Sequence, residues 1–148
     1  MTGMPTVTLD TTELASRLRL GITRLARKLR QEAEPGITPS QLASLATIER
    51  AGRMTIGELS AIEQVQPPTM TKIVAALVDG DLVAREADAE DRRVAWLRVT
   101  AEGAKLLQRS RMRKEAFLAK RLHGLEPREL AVLDEATGIL ERLVEGER

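Results

Sequence analysis

The chain has 148 residues, the length of a single domain, and 43% of them are hydrophobic, enough for a buried core. It contains no cysteine, which excludes disulfides, thiol redox chemistry and cysteine-ligated metals, and its single histidine, His123, cannot form a multi-histidine metal cluster. The net charge of +1 does not by itself indicate a nucleic-acid-binding protein. Whether the chain binds nucleic acid must therefore be judged from where its charged residues lie. No apolar run is long enough to span a membrane and no signal peptide is evident, so we expect a cytoplasmic protein without a cofactor.

Residues 10–32 predict a long amphipathic helix. Asp10 and Glu13 have the spacing of a capping box, and leucine or isoleucine then recurs every three or four residues up to Leu29, with arginines on the flanks. Such a stripe fits the core of one chain. A subunit interface is the alternative, because a long terminal helix has few neighbours within one small domain.

Two further helix starts are each marked by a capping box. Thr38 and Gln41 form the first, after Pro35-Gly36 has interrupted the helical pattern. Thr55 and Glu58 form the second, which opens a short helix. The inner face of this short helix is predicted to consist of Ile56, Leu59 and Ile62.

A turn over residues 63–66 leads into another helix, which Pro67-Pro68 begins. Its apolar side chains are predicted to point inward: Met70, Ile73, Val74 and Leu77. The opposite face carries small hydroxyl residues and one cation, which can approach a DNA groove and hydrogen-bond base edges and phosphates. An ordinary solvated helix face has the same composition. The candidate DNA contacts on this helix and at its entrance are Gln66, Pro68, Thr69, Thr71 and Lys72.

Residues 82–85 and 94–99 alternate with a period of two and predict a two-stranded ribbon. The loop between them, residues 86–93, is too polar to be buried. A charged hairpin loop is usually only solvated. Two arginines at its end, Arg92 and Arg93, beside the carboxylate of Asp91 are nevertheless the arrangement expected of a minor-groove probe.

Two long helices are predicted after the ribbon. Thr100 caps the first, which could reach about His123, and its basic middle, residues 109–114, fits either a solvated face or a phosphate-binding one. The last helix opens at residues 126–129 and repeats leucine or alanine every three or four residues. No repeat or linker divides the chain, so one compact domain with long helices at both ends fits best.

This ordered set resembles the MarR (multiple antibiotic resistance regulator) family of bacterial winged-helix transcription factors. Thr69-Met70-Thr71-Lys72 is similar to the core of the family's recognition helix. Leu82-Val83-x-Arg85, Asp88-x-x-Asp91-Arg92-Arg93 and Leu97-x-Val99-Thr100-x-x-Gly103 are similar to its wing and the helix start beyond. The resemblance implies a mainly α fold with a small two- or three-stranded β-wing. A winged helix-turn-helix lobe (residues 38–103) would lie between N- and C-terminal dimerisation helices (residues 10–32 and 104–148).

The resemblance also implies roles for individual residues. The recognition helix would enter the major groove, and Arg93 would enter the minor groove, held by Asp91. Arg92 and Arg85 would add positive charge nearby. One position departs from the family pattern: Asp81 stands where glycine usually precedes the wing, and aspartate tolerates a left-handed backbone better than most residues, so we expect only a small change at the helix end.

For a family member we expect a homodimeric, sequence-specific regulator of double-stranded DNA, most often a repressor, acting on a pseudo-palindrome. Its interface is predicted to include Leu14, Leu18, Leu130, Leu133, Leu140 and Leu143. The family's common switch is a small aromatic or phenolic anion bound where the dimer helices meet the DNA-reading lobe. Candidates for that pocket are Arg17, Leu18, Ile22, Arg24, Leu42 and Leu45.

The sequence leaves two other kinds of function to consider. The near-neutral charge and acidic wing also fit a winged-helix module that binds another protein and does not read DNA. An enzyme is not expected, because the sequence has no phosphate-binding glycine loop, no metal-ligand spacing and only one histidine.

Overall fold

The computed structural model describes residues 9–32 and 34–146, and over these ranges the predicted fold class is confirmed: the chain is mainly helical with a small antiparallel ribbon. The two strands form one sheet in the order β1-β2. In chain order the elements are α1 (Thr11–Gln31), α2 (Pro39–Ala51), α3 (Ile56–Glu63), α4 (Pro67–Asp79), β1 (Val83–Ala87), β2 (Ala95–Val99), α5 (Ala101–Leu122) and α6 (Pro127–Glu145).

The helices begin where the capping residues predict. The hydroxyl of Thr38 accepts the backbone N–H of Gln41, whose side chain accepts the N–H of Thr38 in return, which completes the capping box of α2. The hydroxyl of Thr55 accepts the backbone N–H of Glu58 and so caps α3, and Thr100 caps α5 through the N–H of Gly103.

The core lies in the lobe formed by α2, α3, α4, the ribbon and the first part of α5. Leu45, Ile48, Leu59, Met70 and Val74 are fully buried there. The prediction for α3 was wrong in one residue: Ile62 is 60% exposed, because a helix of only two turns packs one narrow face on the core and Ile62 lies off it.

Left-handed residues close both helices of the helix-turn-helix. Gln64, at the end of α3, has φ 53° and ψ 42°. Asp81 follows α4 with φ 59°, and the N–H of Leu82 reaches back to the carbonyl oxygen of Leu77 at 2.9 Å, the bond of a Schellman motif. Asp81 therefore takes the backbone conformation that glycine would adopt, and the helix end is otherwise ordinary.

The ribbon differs slightly from its prediction. β1 pairs antiparallel with β2 from Val83 opposite Val99 to Ala87 opposite Ala95, so the first strand runs two residues further than predicted and the loop begins at Asp88. Met54 forms an isolated antiparallel bridge with Leu97 of β2. Its N–H donates to the carbonyl oxygen of Leu97 at 3.1 Å, and its own carbonyl oxygen accepts the N–H of Leu97 at 2.7 Å. The ribbon is thereby attached to the segment that joins α2 and α3.

Helices α1 and α6 lie outside this core, and among the described residues neither contains a fully buried side chain. The helix α6 has only slight contact with the rest of the described chain. No described helix is long and apolar enough to cross a lipid bilayer. The apolar side chains that α1 and α6 leave exposed are Leu14, Leu18, Leu20, Ile22, Leu25, Leu130, Val132, Leu133, Ile139, Leu143 and Val144.

Candidate nucleic-acid interface

The helix α4 buries one face and leaves the other open. Met70, Val74 and Leu77 are in the core, which turns the opposite face outward. The Thr71 hydroxyl donates to the carbonyl oxygen of Pro67 at 2.9 Å, so it faces an outside partner mainly as an acceptor. All five candidate contacts of this element are exposed: Gln66, Pro68, Thr69, Thr71 and Lys72.

At the tip of the wing, Asp91 holds Arg93 through both the backbone and the side chain. Asp91 Oδ1 accepts the backbone N–H of Arg93 at 3.0 Å and its Nε–H at 3.1 Å, while Oδ2 accepts the guanidinium NH2 at 3.3 Å. The hydrogen bonds from the Arg93 side chain and backbone lower the pKa of Asp91. The Arg93 side chain is nevertheless 90% exposed, so it is oriented and remains available to a partner.

A second carboxylate, Asp88, organises the wing loop, and its role was not predicted. Asp88 Oδ2 accepts the backbone N–H groups of Glu90 and Asp91 at 3.2 and 3.0 Å, and Oδ1 accepts the indole N–H of Trp96 at 2.9 Å. The bond from Trp96 is the largest cause that lowers the pKa of Asp88, followed by the two backbone donors. Two features of the sequence could have indicated this role: an aspartate at the start of the hairpin loop and the single tryptophan on the strand that follows it.

The remaining predicted wing residues are exposed but less constrained. Arg92 lies beside Arg93 in the loop, and Arg85 lies on β1 opposite Leu97. The structure thus brings Asp91, Arg92 and Arg93 together at the tip. It places Arg85 on the stem of the ribbon.

The basic middle of α5 forms intrachain ion pairs, a role that was not among the two predicted for it, a solvated face or a phosphate-binding one. Glu34, whose side chain is only 12% exposed, pairs with Arg109 at 3.2 Å and with Arg113 at 3.6 Å. Glu49 on α2 pairs with Arg111 at 2.6 Å. These ion pairs attach α5 to the α1–α2 joint and to the lobe.

A cavity of about 230 Å³ lies between α2 and α5. Pro39, Leu42 and Leu107 contribute apolar wall, and three cations, Arg30, Arg111 and Lys114, border it. Ser110 also lines it, and within the described part of the chain its hydroxyl is buried without a hydrogen-bond partner.

The six residues predicted for a ligand pocket do not come together. Leu42 alone of the six borders this cavity, and Leu45 is fully buried in the core. Leu18 and Ile22 are exposed on α1, as are Arg17 and Arg24.

The residues predicted for a dimer interface lie on the two outer helices. Leu140 is half-buried, and the other five are exposed by between 37% and 64%: Leu14, Leu18, Leu130, Leu133 and Leu143.

A helix-turn-helix with one face packed on the core and one face open, a ribbon with an ordered arginine at its tip and long flanking helices define a winged helix-turn-helix transcriptional regulator. Comparison with known proteins agrees. The model of the MarR family matches residues 37–95. An uncharacterized HTH-type transcriptional regulator of Mycobacterium leprae is 35% identical over 89% of this chain and 93% of its own length. The chain belongs to the MarR family.

Two more relatives show the range of the similarity. The HTH-type transcriptional repressor MdtR of Bacillus subtilis is 28% identical, over 80% of this chain and 79% of its own. A crystal structure from Pseudomonas aeruginosa, described as that of a transcriptional regulator protein, superimposes with a TM-score of 0.82 and 33% identity over 92% of this chain and 96% of that one.

Proposed function

We propose that the protein is a homodimeric repressor that binds a pseudo-palindromic site in duplex DNA and that a small anion releases it. The observation that carries the DNA-binding part is Arg93, which is oriented by Asp91 and still almost fully exposed. Repression is supported by the similarity to a relative that is named as a repressor.

In this proposal α4 reads the major groove and the wing reaches the adjacent minor groove. Thr69 and Lys72 on the exposed face of α4 supply hydrogen-bonding groups and one cation for bases and phosphates. Arg93 supplies the cation that a narrow minor groove attracts. With a net charge of only +1, binding depends on these few local cations more than on the field of the whole protein.

The homodimer is supported by the apolar faces that α1 and α6 present to solvent. Leu133 and Leu143 are exposed by 45% and 64%, and α6 has little intrachain contact that could cover them. Exposed apolar side chains that share one helix face are typical of an interface between proteins. A two-fold pairing through these helices would present two α4 helices to half-sites about 34 Å apart, one turn of DNA.

The effector site proposed here is the cavity between α2 and α5 and replaces the set of residues predicted from the sequence. Its apolar wall suits a small aromatic or phenolic ring, Ser110 has an unpartnered hydroxyl, and Lys114 and Arg30 offer positive charge. Because α2 belongs to the lobe and α5 extends from it, an anion between them would alter the placement of α4 in the dimer and shift the affinity for DNA.

An electrophoretic mobility shift series tests DNA binding. The protein is mixed with random-sequence duplex at low salt, and the salt concentration is then raised. We expect a shifted band whose affinity falls steeply with salt, since bound cations displace counterions from the phosphates. Absence of any shift at low salt would contradict the proposal and favour a module that binds another protein.

Titration of the DNA complex with salicylate tests the effector site. We expect release of DNA by the wild type and a weaker response from Ser110→Ala, which removes the unused hydroxyl and keeps the wall of the cavity. Arg17→Ala is a control, because Arg17 is exposed on α1 and does not border the cavity. Equal responses from wild type and Ser110→Ala would contradict this placement.

A further inference from the structure

Hydrogen bonds connect the tip of the wing to its stem through one carboxylate. One oxygen of Asp88 binds the backbone of Glu90 and Asp91, at the turn of the loop, and the other binds the indole N–H of Trp96 on β2. The Asp88 backbone N–H also donates to the carbonyl oxygen of Val94 at 2.9 Å. The loop 88–94 is thereby closed from both sides.

A residue of the lobe, Arg53, contacts Trp96 in turn. The guanidinium carbon of Arg53 lies 4.2 Å from the centre of the indole ring, a cation–π contact. Arg53 immediately precedes Met54, whose two backbone bonds to Leu97 fix that segment against β2. Trp96 is half-buried in this setting.

The same connections continue to the DNA-reading residue. Asp88 fixes the backbone N–H of Asp91, and the Asp91 carboxylate fixes the Arg93 guanidinium. We propose that Asp88 and Trp96 are positioning residues of the wing, which act on DNA binding only through Arg93. The inference rests on the proposed function, because it assumes that Arg93 contacts DNA.

The position of the loop matters for Arg93 because Asp91, a residue of the same loop, is what orients its side chain. The Arg93 side chain is 90% exposed, and a free arginine loses rotamer entropy when it is immobilised in a groove. A loop that is already fixed loses less on binding, so the complex is tighter for the same contacts. The hydrogen bonds that Asp88 accepts also lower its pKa, because they favour the charged carboxylate.

The ribbon supplies an internal comparison. Glu86 lies opposite Trp96 in the strand register and pairs with Arg98 at 3.3 Å. This ion pair joins β1 to β2 on the stem of the ribbon and has no bond to the loop, whereas the Asp88–Trp96 bond joins the loop to β2. A change that merely loosens the ribbon should therefore be reproduced by loss of the Glu86–Arg98 pair.

The test is a double-mutant cycle on a duplex selected from a random pool by the wild-type protein. Trp96→Phe removes the indole N–H and keeps a ring for Arg53. We expect it to weaken binding about three- to tenfold, which lies within the range for loss of one typical intramolecular hydrogen bond. In an Arg93→Ala background the same change should have no further effect, because the group it positions is gone. Glu86→Gln is the control, with an effect that is the same in both backgrounds.

Asp88→Asn tests the inference without altering the tryptophan. One amide oxygen cannot serve both Trp96 and the loop amides, so we expect a similar fall in affinity. Removal of a negative charge beside DNA would by itself raise affinity, so the two explanations differ in sign. Thermal unfolding of each variant confirms that the protein is folded.

The outcomes separate the two proposals. Wild-type protein that selects no duplex overturns the proposed function and this inference with it. Wild-type binding that Arg93→Ala weakens while Trp96→Phe and Asp88→Asn leave it unchanged overturns the inference alone. Penalties of Trp96→Phe and Arg93→Ala that simply add also overturn it, since Trp96 would then act on the fold and not through Arg93.

Discussion

The α-carbon of Gly103 faces the backbone carbonyl oxygen of Leu82 with no room for a side chain between them. That oxygen also accepts the N–H of Thr100 at 3.0 Å, so it cannot readily move away. Gly103→Ala should therefore destabilise the protein by about 1–3 kcal/mol, as in other overpacked sites, measured by urea unfolding. Gly57→Ala is the matched control, since its nearest neighbour would be 3.9 Å away. Equal stabilities of Gly103→Ala and wild type would contradict the close packing.

Replacement of Asp81 by glycine should stabilise the protein. Asp81 has φ 59°, and an L residue in this region carries strain that glycine does not. We expect a gain of about 0.5–1 kcal/mol, seen as a higher melting temperature. Asp79→Ala removes the same charge from within α4, where the backbone is helical, and so separates the effect of charge from that of backbone strain.

Arg93→Ala should weaken binding to a selected duplex by about 1–3 kcal/mol and reduce the slope of affinity against salt by about one charge, while the protein remains folded. Fluorescence anisotropy at several salt concentrations measures both quantities. Arg128→Ala, which removes an exposed arginine of α6, is the control for overall charge. If both variants behave alike, Arg93 makes no contact of its own.

Leu143→Glu should dissociate the proposed dimer. Leu143 is 64% exposed on the apolar side of α6, and a carboxylate buried in an apolar interface without a partner is strongly unfavourable. Light scattering coupled to size exclusion gives the mass. Arg142→Glu reverses a charge on the polar side of the same helix and should remain dimeric. A dimeric Leu143→Glu would refute this interface.

The wing should withstand mild acid. The pKa values of Asp88 and Asp91 are lowered in the folded chain, by the bonds from Trp96 and Arg93 respectively. A lowered pKa stabilises the fold above the unfolded value of about 3.9, and this contribution is lost as the pH falls through the folded value. Fluorescence of Trp96, the single tryptophan, should thus be constant from neutral pH to about pH 4 and change below it.

Circular dichroism at each pH distinguishes that change from global unfolding. In Asp88→Asn the acid transition of Trp96 should disappear while the helices remain folded. A transition of wild-type Trp96 near neutral pH would contradict the lowered pKa of Asp88.

Features set by neighbouring residues were predictable from the sequence. Thr38, Thr55 and Thr100 begin their helices as predicted, because a cap and its partner lie within three residues. The period of two in the ribbon gave the pairing of β1 with β2, although the end of β1 was two residues off, since a polar residue such as Glu86 fits a strand end as well as a loop.

Features that join distant parts of the chain were missed. Arg109 was predicted to be solvated or to face phosphates, yet its partner is Glu34, 75 residues earlier. The bond from Trp96 to Asp88 spans eight residues, but it needs the exact register of the hairpin to be foreseen. The cavity between α2 and α5 was not foreseen for the same reason, because the contribution of Ser110 on α5 appears only once α5 is packed on α2.

Because α6 has little contact with its own chain, its folding should depend on the concentration of the protein. A helix of 19 residues that buries little is marginal alone in water, so most of its folding free energy must come from whatever covers its apolar side. If a second chain covers it, the order of α6 depends on mass action, and the melting temperature rises with protein concentration. A cell that makes less of the protein would then hold a larger share of chains with a frayed C-terminus, so operator occupancy would fall faster than the number of copies.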